Sequence, residues 1–107
     1  MVATDVVESV HRYLDAVRDS GIPVAFGVLF GSQVTGKTHE WSDIDLIVVS
    51  PRFDGLTDRE PLYQLWRIAG RINSRIEPIP CGAKQWEEDD VSPILDVARR
   101  EGEKVVP

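Results

Sequence analysis

The sequence contains a single cysteine, Cys81, and no long apolar run. One cysteine cannot form an internal disulfide, which argues against a disulfide-stabilised secreted fold and indicates a reducing compartment. Its neighbours Pro80 and Gly82 are typical of a turn, where we expect the thiol to be structural. No segment is long enough to span a bilayer, and the opening residues, MVATDVVESVHRYL, lack the basic region and apolar core of a signal peptide. We therefore expect a cytoplasmic protein without membrane contact.

Positive charge is also scarce. Twelve lysines and arginines face 18 aspartates and glutamates, which gives a net charge of -6. Proteins that hold DNA or RNA by neutralising phosphates need a basic face, so nucleic acid is not the expected partner. An acidic balance is compatible with carboxylates gathered around divalent cations and also with an ordinary solvated surface. The positions of the acids must decide between these two interpretations.

The chain has 107 residues, of which 42% are hydrophobic and 28% are charged, as is typical of one small globular domain covering 1–107. Pro78 and Pro80 cannot donate ladder hydrogen bonds, so the strand that contains them should lie at a sheet edge.

Trp66 falls on the apolar stripe of a helix and should be core, whereas Trp86 should be half exposed. The patterns predict a helix between Asp5 and Gly21, strands over Val24–Phe30 and Asp43–Val49, a helix from about Asp58, a strand in RIEPIP, a helix from Pro93 to about Arg100 and a short strand in KVV.

The loop GSQVTGKT, from Gly31 to Thr38, matches the phosphate loop of P-loop NTPases. A P-loop requires a long helix after its Lys-Thr pair, but only four residues separate Thr38 from the next predicted strand, so we reject that interpretation. Gly31 could instead let the backbone approach a phosphate, Ser32 could offer a hydroxyl and an amide, and one helical turn ending at Gly36 would return the chain antiparallel to the first strand. For Gly-Ser alone, a plain surface loop is the alternative.

Asp43 and Asp45 form a D-x-D pair at the start of the second predicted strand. Residues two apart on a strand point to one face, with alpha carbons about 6.6 to 6.8 Å apart, so the two carboxylates could bracket one or two hard cations. Holding two like charges together opposes folding unless a cation compensates. The alternative is a pair of turn or cap residues at an exposed strand mouth.

The segment GSQVTGKTHEWSDIDLIVV resembles the signature of the polymerase-beta-like nucleotidyltransferase superfamily, in which G-S and a later glycine precede S-D-x-D and an apolar strand. By size the chain resembles the minimal nucleotidyltransferase branch, often the antitoxin partner of a helical HEPN toxin. The resemblance covers about Val24 to Pro80. It implies an α/β (α+β) fold with a small mixed sheet flanked by helices. It also implies two Mg²⁺ ions and transfer of a nucleoside monophosphate from a triphosphate with release of pyrophosphate.

The resemblance assigns Asp43 and Asp45 to both metal ions. A third carboxylate is implied on a following strand, and Glu77 is the candidate because it is the acid in a strand-like context downstream. An exposed glutamate on an edge strand is the alternative for Glu77. These three residues are the expected catalytic and metal-binding set.

The same resemblance assigns Gly31 and Ser32 to the triphosphate, with Ser42 of the Ser-Asp pair among the nucleotide-binding residues. Many relatives carry an arginine near this loop, where this chain has Gln33 and Lys37. Lys37 could replace that charge without offering an arginine's bidentate fork.

Two functions follow from these interpretations. The first is a magnesium-dependent nucleotidyltransferase that uses ATP to adenylylate a protein, the cognate HEPN toxin. A small-molecule acceptor is less expected, because such relatives use an additional helical domain. The second is an antitoxin of little or no catalytic activity that neutralises its partner by binding alone.

Overall fold

The computed structural model describes residues 3–31, 34 and 42–107. The expected triphosphate contacts Ser32 and Lys37 lie outside these residues. In chain order the elements are α1 (Thr4–Asp19), β1 (Phe26–Phe30), β2 (Ile44–Ser50), a 3-10 turn (Pro51–Phe53), α2 (Glu60–Ile72), β3 (Ile76–Gly82), α3 (Ala83–Glu88), α4 (Pro93–Glu101) and β4 (Glu103–Val105). None of the described helices is long and apolar enough to cross a membrane.

The four strands form one mixed sheet in the order β3-β2-β1-β4. β1 runs antiparallel to β2 and to β4, whereas β2 and β3 are parallel and are joined through α2. The antiparallel β1–β2 pair confirms the return of the chain expected after Gly31. Within the described residues β3 is an edge strand, as Pro78 and Pro80 predicted, because an edge strand can leave one row of its backbone groups unpaired. The small mixed sheet flanked by helices is confirmed.

One face of the sheet packs against α1 and α2 and carries the larger core. The hydroxyl of Tyr13 on α1 donates to the carbonyl of Leu65 on α2 at 2.9 Å, which joins the two helices, and burial raises the pKa of this phenol. Alternation along β2 sends every second side chain into this core. The buried residues include Val10, Leu14, Val17, Leu29, Ile44, Leu46, Val48, Ile68 and Ile76.

The opposite face carries a smaller apolar cluster under α3 and α4. Trp86 of α3 is half-buried, as expected, and meets Phe26 edge to face, with ring centroids 5.6 Å apart. Cys81 is buried on this face within β3, so the expected turn at Pro80–Gly82 is wrong, because these residues pair with β2. The buried members are Val28, Ile47, Val49, Cys81, Leu95 and Ala98.

Trp66 is not a core residue. Its side chain is 53% exposed, while Pro61, Leu65, Ile68 and Ala69 are the buried residues of α2. Because successive residues on a helix are rotated by about 100°, a stripe centred on Leu65 and Ile68 leaves Trp66 on the solvent side. The expectation that Trp66 belongs to the core was wrong, because Trp66 is rotated by about 100° from Leu65 around the helix axis.

Candidate active site

Asp45 and Glu77 are register partners across the parallel strands β2 and β3. Side chains paired in this way lie on the same face of the sheet, with the two strands about 4.8 Å apart. Each is the second residue of its strand, and both are half-buried. The structure therefore places the two predicted site residues side by side, although they come from opposite ends of the β2–α2–β3 crossover.

Asp43 lies two residues before Asp45 and just outside β2, which begins at Ile44 rather than at Asp43 as expected. The pKa of Asp45 is raised first by burial and then by the charge of Asp43, whereas a hydrogen bond that Asp45 accepts from Glu77 lowers it. The pKa of Glu77 is raised first by burial and then by the charges of Asp43 and Asp45. The three predicted carboxylates thus form one electrostatically coupled group at one end of the sheet.

Gly31 closes the group from the side of β1. It follows Phe30, which pairs with Asp45, and it has a positive φ of 74°. A Cβ atom on Gly31 would lie 2.7 Å from Oδ2 of Asp45, closer than real Cβ contacts. Glycine is therefore required twice, for the left-handed backbone and for the space that the carboxylate occupies. Sequence reasoning had assigned Gly31 to phosphate approach and had not foreseen its contact with Asp45.

Arg75, which sequence reasoning missed, holds the backbone on both sides of Asp43. Its Nε donates to the carbonyl oxygen of Ser42 at 2.8 Å, and its own carbonyl accepts from the amide of Ile44 at 2.8 Å. Hydrogen bonds to the residues before and after Asp43 fix where that side chain starts. The sequence signal was an arginine directly before an edge strand, which by itself is not distinctive.

The donor set fits a hard divalent cation. Carboxylate oxygens are the ligands that Mg²⁺ prefers, and mutual repulsion among three carboxylates is relieved by a cation. Within the described residues no group of three or more His, Cys, Asp or Glu side chains is arranged so that it could by itself hold a metal ion. Mg²⁺ commonly takes one or two carboxylates and completes its shell with water and substrate phosphates, so an open set is the type expected for a nucleotide site.

The fold is a mixed sheet with helices on both faces. A glycine turn follows its first strand, and acids stand at the start of its next two strands. These features together are typical of the nucleotidyltransferase type. The family model of the nucleotidyltransferase domain matches residues 10–98, and the chain belongs to that family.

Two solved structures share the fold. One is a Sulfolobus solfataricus protein described as a nucleotidyltransferase, with a TM-score of 0.64 at 16% identity, covering 94% of this chain and 78% of the other. The second is a toxin-antitoxin structure with AMP-PNP, with a TM-score of 0.58 at 21% identity, covering 87% of this chain and 69% of the other. At these identities the likeness concerns the fold. No curated protein is significantly similar in sequence.

Proposed function

We propose that this chain is a magnesium-dependent nucleotidyltransferase that transfers AMP from ATP to a protein, and that it is the antitoxin of a pair with a HEPN-type toxin. Membership of the nucleotidyltransferase family supports a transferase. The structural likeness to a toxin-antitoxin protein solved with AMP-PNP supports the partner and the nucleotide. The observation that carries the proposal is the pairing of Asp45 with Glu77 in the register of β2 and β3.

In this proposal Asp43, Asp45 and Glu77 hold two Mg²⁺ ions. When bound, the ions neutralise charge on the triphosphate and favour the deprotonated acceptor oxygen. The chain itself fixes the three carboxylates by the parallel register and by the Arg75 hydrogen bonds around Asp43. Gly31 leaves room for the Asp45 carboxylate beside the turn.

The nucleotide-binding part of the proposal concerns the turn after β1. Gly31, the hydroxyls of Ser32 and Ser42, and the ammonium group of Lys37 are its proposed contacts with the triphosphate. Gly31 lies against the carboxylate of Asp45, and Ser42 directly precedes Asp43 in the chain, so a triphosphate bound there would meet the acidic edge of the sheet. Backbone amides in such turns bind phosphate oxygens.

The reaction balances as a substitution at phosphorus. A hydroxyl oxygen of the acceptor protein forms a bond to the α-phosphorus of ATP, and the bond from that phosphorus to the α–β bridging oxygen breaks. Pyrophosphate leaves with the electron pair of the broken bond, and the hydroxyl proton passes to solvent. The product is an AMP ester of the acceptor, and catalysis is by positioning and by charge stabilisation.

Neutralisation by binding alone is the second candidate. It is favoured by the exposed aromatic side chains of Tyr63 and Trp66 on α2, which offer a binding surface separate from the carboxylates. A chain that acts in this way would inhibit its partner without any nucleotide.

The test uses ATP labelled at the α-phosphate, Mg²⁺, and the protein encoded by the reading frame next to that of this chain. Label should pass to that protein with release of pyrophosphate, and Asp45→Asn should abolish transfer. Asp90→Asn, a change of the same chemistry at an exposed position, is the matched control and should retain transfer. Inhibition of the partner that survives Asp43→Asn and Asp45→Asn would instead support binding alone. Release of inorganic phosphate that depends on Lys37 would support a P-loop hydrolase.

A further inference from the structure

The solvent face of α2 carries two large aromatic side chains. Tyr63 is 54% exposed and Trp66 is 53% exposed, and their spacing of three residues makes them neighbours on the helix surface. An amphipathic helix ordinarily presents polar side chains on this side. Neighbouring exposed aromatics are typical of protein interaction sites, where Tyr and Trp contribute disproportionately to binding.

Gly70 extends the same surface one turn beyond Trp66. It is exposed, and no atom lies within 4 Å of the position that a Cβ would take. Glycine weakens a helix interior relative to alanine, and nothing among the described residues requires it here. A glycine beside an exposed Trp would allow the backbone of a partner to approach closely.

The charge around these residues is opposite to that of the whole chain. Exposed Arg59, Arg67 and Arg71 lie on or next to α2 in a protein of net charge -6. Arg67 is paired with Glu60, whereas Arg71 has no ion pair in the described part of the chain. An open groove of about 690 Å³ runs beside the helix, and its lining includes two arginines and one acid, Arg67, Arg71 and Glu60.

We propose that the outer face of α2, defined by Arg59, Tyr63, Trp66, Gly70 and Arg71, docks the acceptor protein, which presents an apolar pocket rimmed by carboxylates. The inference deepens the proposed function, and rests on it in taking the acceptor to be a protein. A second copy of this chain is disfavoured, because a two-fold contact would set these arginines against each other. Nucleic acid is disfavoured by the acidic remainder of the chain.

The position of α2 suits delivery of an acceptor. The helix ends at Ile72, and β3 begins at Ile76, so the end of α2 that carries Gly70 and Arg71 adjoins the end of the sheet where Glu77 lies. β3 is the edge strand of the described sheet. Asp45 and Glu77 alternate with Leu46 and Ile76 and so lie on the sheet face opposite α2, and a protein docked along α2 would reach them around this edge.

Binding tests the proposal independently of catalysis. The probe is the purified protein of the adjacent reading frame, titrated calorimetrically with this chain in the absence of ATP. Tyr63→Ser and Trp66→Ser should each weaken binding by at least ~30-fold, as at interface positions dominated by aromatic residues. Val106→Ser is the matched control, because Val106 is 59% exposed next to β4, at the opposite edge of the sheet from β3, and should bind as the unchanged chain does.

Two further variants separate docking from folding. Gly70→Gln should raise the melting temperature and yet weaken binding, a combination that a structural role of Gly70 would not produce. Arg71→Glu should weaken binding by at least ~10-fold at low salt, with a smaller effect at high salt, since opposite charges are screened.

Three results would overturn the inference. The first is an unchanged affinity in the Tyr63 and Trp66 variants, or no binding by the unchanged chain. The second is a homodimer that Trp66→Ser dissociates, which would identify a second copy as the occupant. The third is binding of single-stranded DNA or RNA that the same change abolishes. A different result would overturn the proposed reaction and leave the docking surface supported. In that result the unchanged chain binds its partner without transferring AMP, and the Tyr63 and Trp66 variants lose the binding.

Discussion

Gly31 and Asp45 are packed so closely that a single added methyl group on Gly31 would lie 2.7 Å from a carboxylate oxygen of Asp45. This contact joins the turn after β1 to the acidic start of β2. The turn cannot accept a side chain without moving the carboxylate or losing its left-handed backbone.

Gly31→Ala should reduce nucleotidyl transfer by at least ~100-fold, because a displacement of about 1 Å in a catalytic group costs about that much. The positive φ should also lower the free energy of unfolding by about 1–2 kcal/mol. Gly55→Ala is the control, since Gly55 has a φ of 63° and nothing within 4 Å of its Cβ position. It should lose similar stability and keep its activity. Equal losses of activity in both variants would show that the contact with Asp45 is not what matters.

Asp45→Asn should raise the melting temperature at neutral pH in the presence of a chelator while abolishing transfer. Burial and the charge of Asp43 raise the pKa of Asp45, so the folded state favours its protonated form. The stability that Asp45 contributes is present below its pKa in the unfolded chain and is lost as the pH rises through its pKa in the folded protein. At pH 7 the ionised carboxylate is therefore unfavourable for the folded state. The gain in melting temperature should therefore shrink toward acidic pH.

Asp89→Asn provides a comparison of opposite sign. Hydrogen bonds from the amides of Ser92 and Val91 lower the pKa of Asp89, so its stabilising effect is present above the unfolded pKa and is lost in acid. The Asp89 variant should melt lower at neutral pH. If Asp45→Asn also melted lower, the carboxylate group would not be under electrostatic strain.

Arg75→Gln and Arg75→Lys should both lower kcat by about tenfold, with less change in the KM for ATP. Either change removes the Nε donor to Ser42, and Asp43 then loses part of its alignment. Because lysine retains the positive charge, equal effects of the two changes would identify geometry rather than charge as the cause. Arg52→Gln, at an exposed position, is the control. A lysine variant with full activity would contradict the positioning role.

Cys81 should resist alkylation in the folded protein. Burial raises the pKa of its thiol from 9.0 to about 11, so little thiolate is present at pH 8. As the pH rises from 9.0 through about 11, the unfolded chain loses this proton before the folded protein does, and stability falls. Iodoacetamide labelling should occur at the rate of unfolding. Between pH 8 and pH 11, the free energy of unfolding of the Cys81→Ala variant should fall less than that of the unchanged chain. Rapid labelling at pH 8 under native conditions would show that the thiol is accessible.

Gly70→Ala should increase the free energy of unfolding by ~1 kcal/mol, because alanine is the better helix former and the site has room for a methyl group. In a chain of this size such a gain corresponds to a rise in melting temperature of about 4 °C or more. Chemical denaturation monitored by circular dichroism measures the change. A loss of stability would mean that an internal constraint requires the glycine.

The sequence was sufficient where a local rule decided the structure. The short connection before Asp43 excluded a crossover helix, and Pro78 and Pro80 required an edge position, so the β1–β2 pairing and the place of β3 could be predicted. Glu77 could be nominated as an acid in a strand context. The register of Glu77 with Asp45 could not be predicted, because the pairing is set by how α2 packs across the sheet.

The remaining differences have non-local causes. The sequence patterns did not predict the short helix α3. Its first amides, those of Lys84 and Gln85, donate to the carboxylate of Asp54, which is remote in the chain and invisible to a local capping rule. Trp66 was assigned to the core because periodicity fixes the stripe of a helix less sharply than its existence.

The β2–α2–β3 crossover also has a kinetic consequence. A nascent chain that has emerged only as far as α2 already carries Asp43 and Asp45, but it lacks the third acid until β3 has been synthesised and has docked against β2. Pairing of segments distant in sequence is slow relative to hairpin closure. Assembly of the carboxylate group therefore waits for the parallel pairing of β2 with β3, and a product truncated before β3 would carry its two aspartates without becoming a competent transferase.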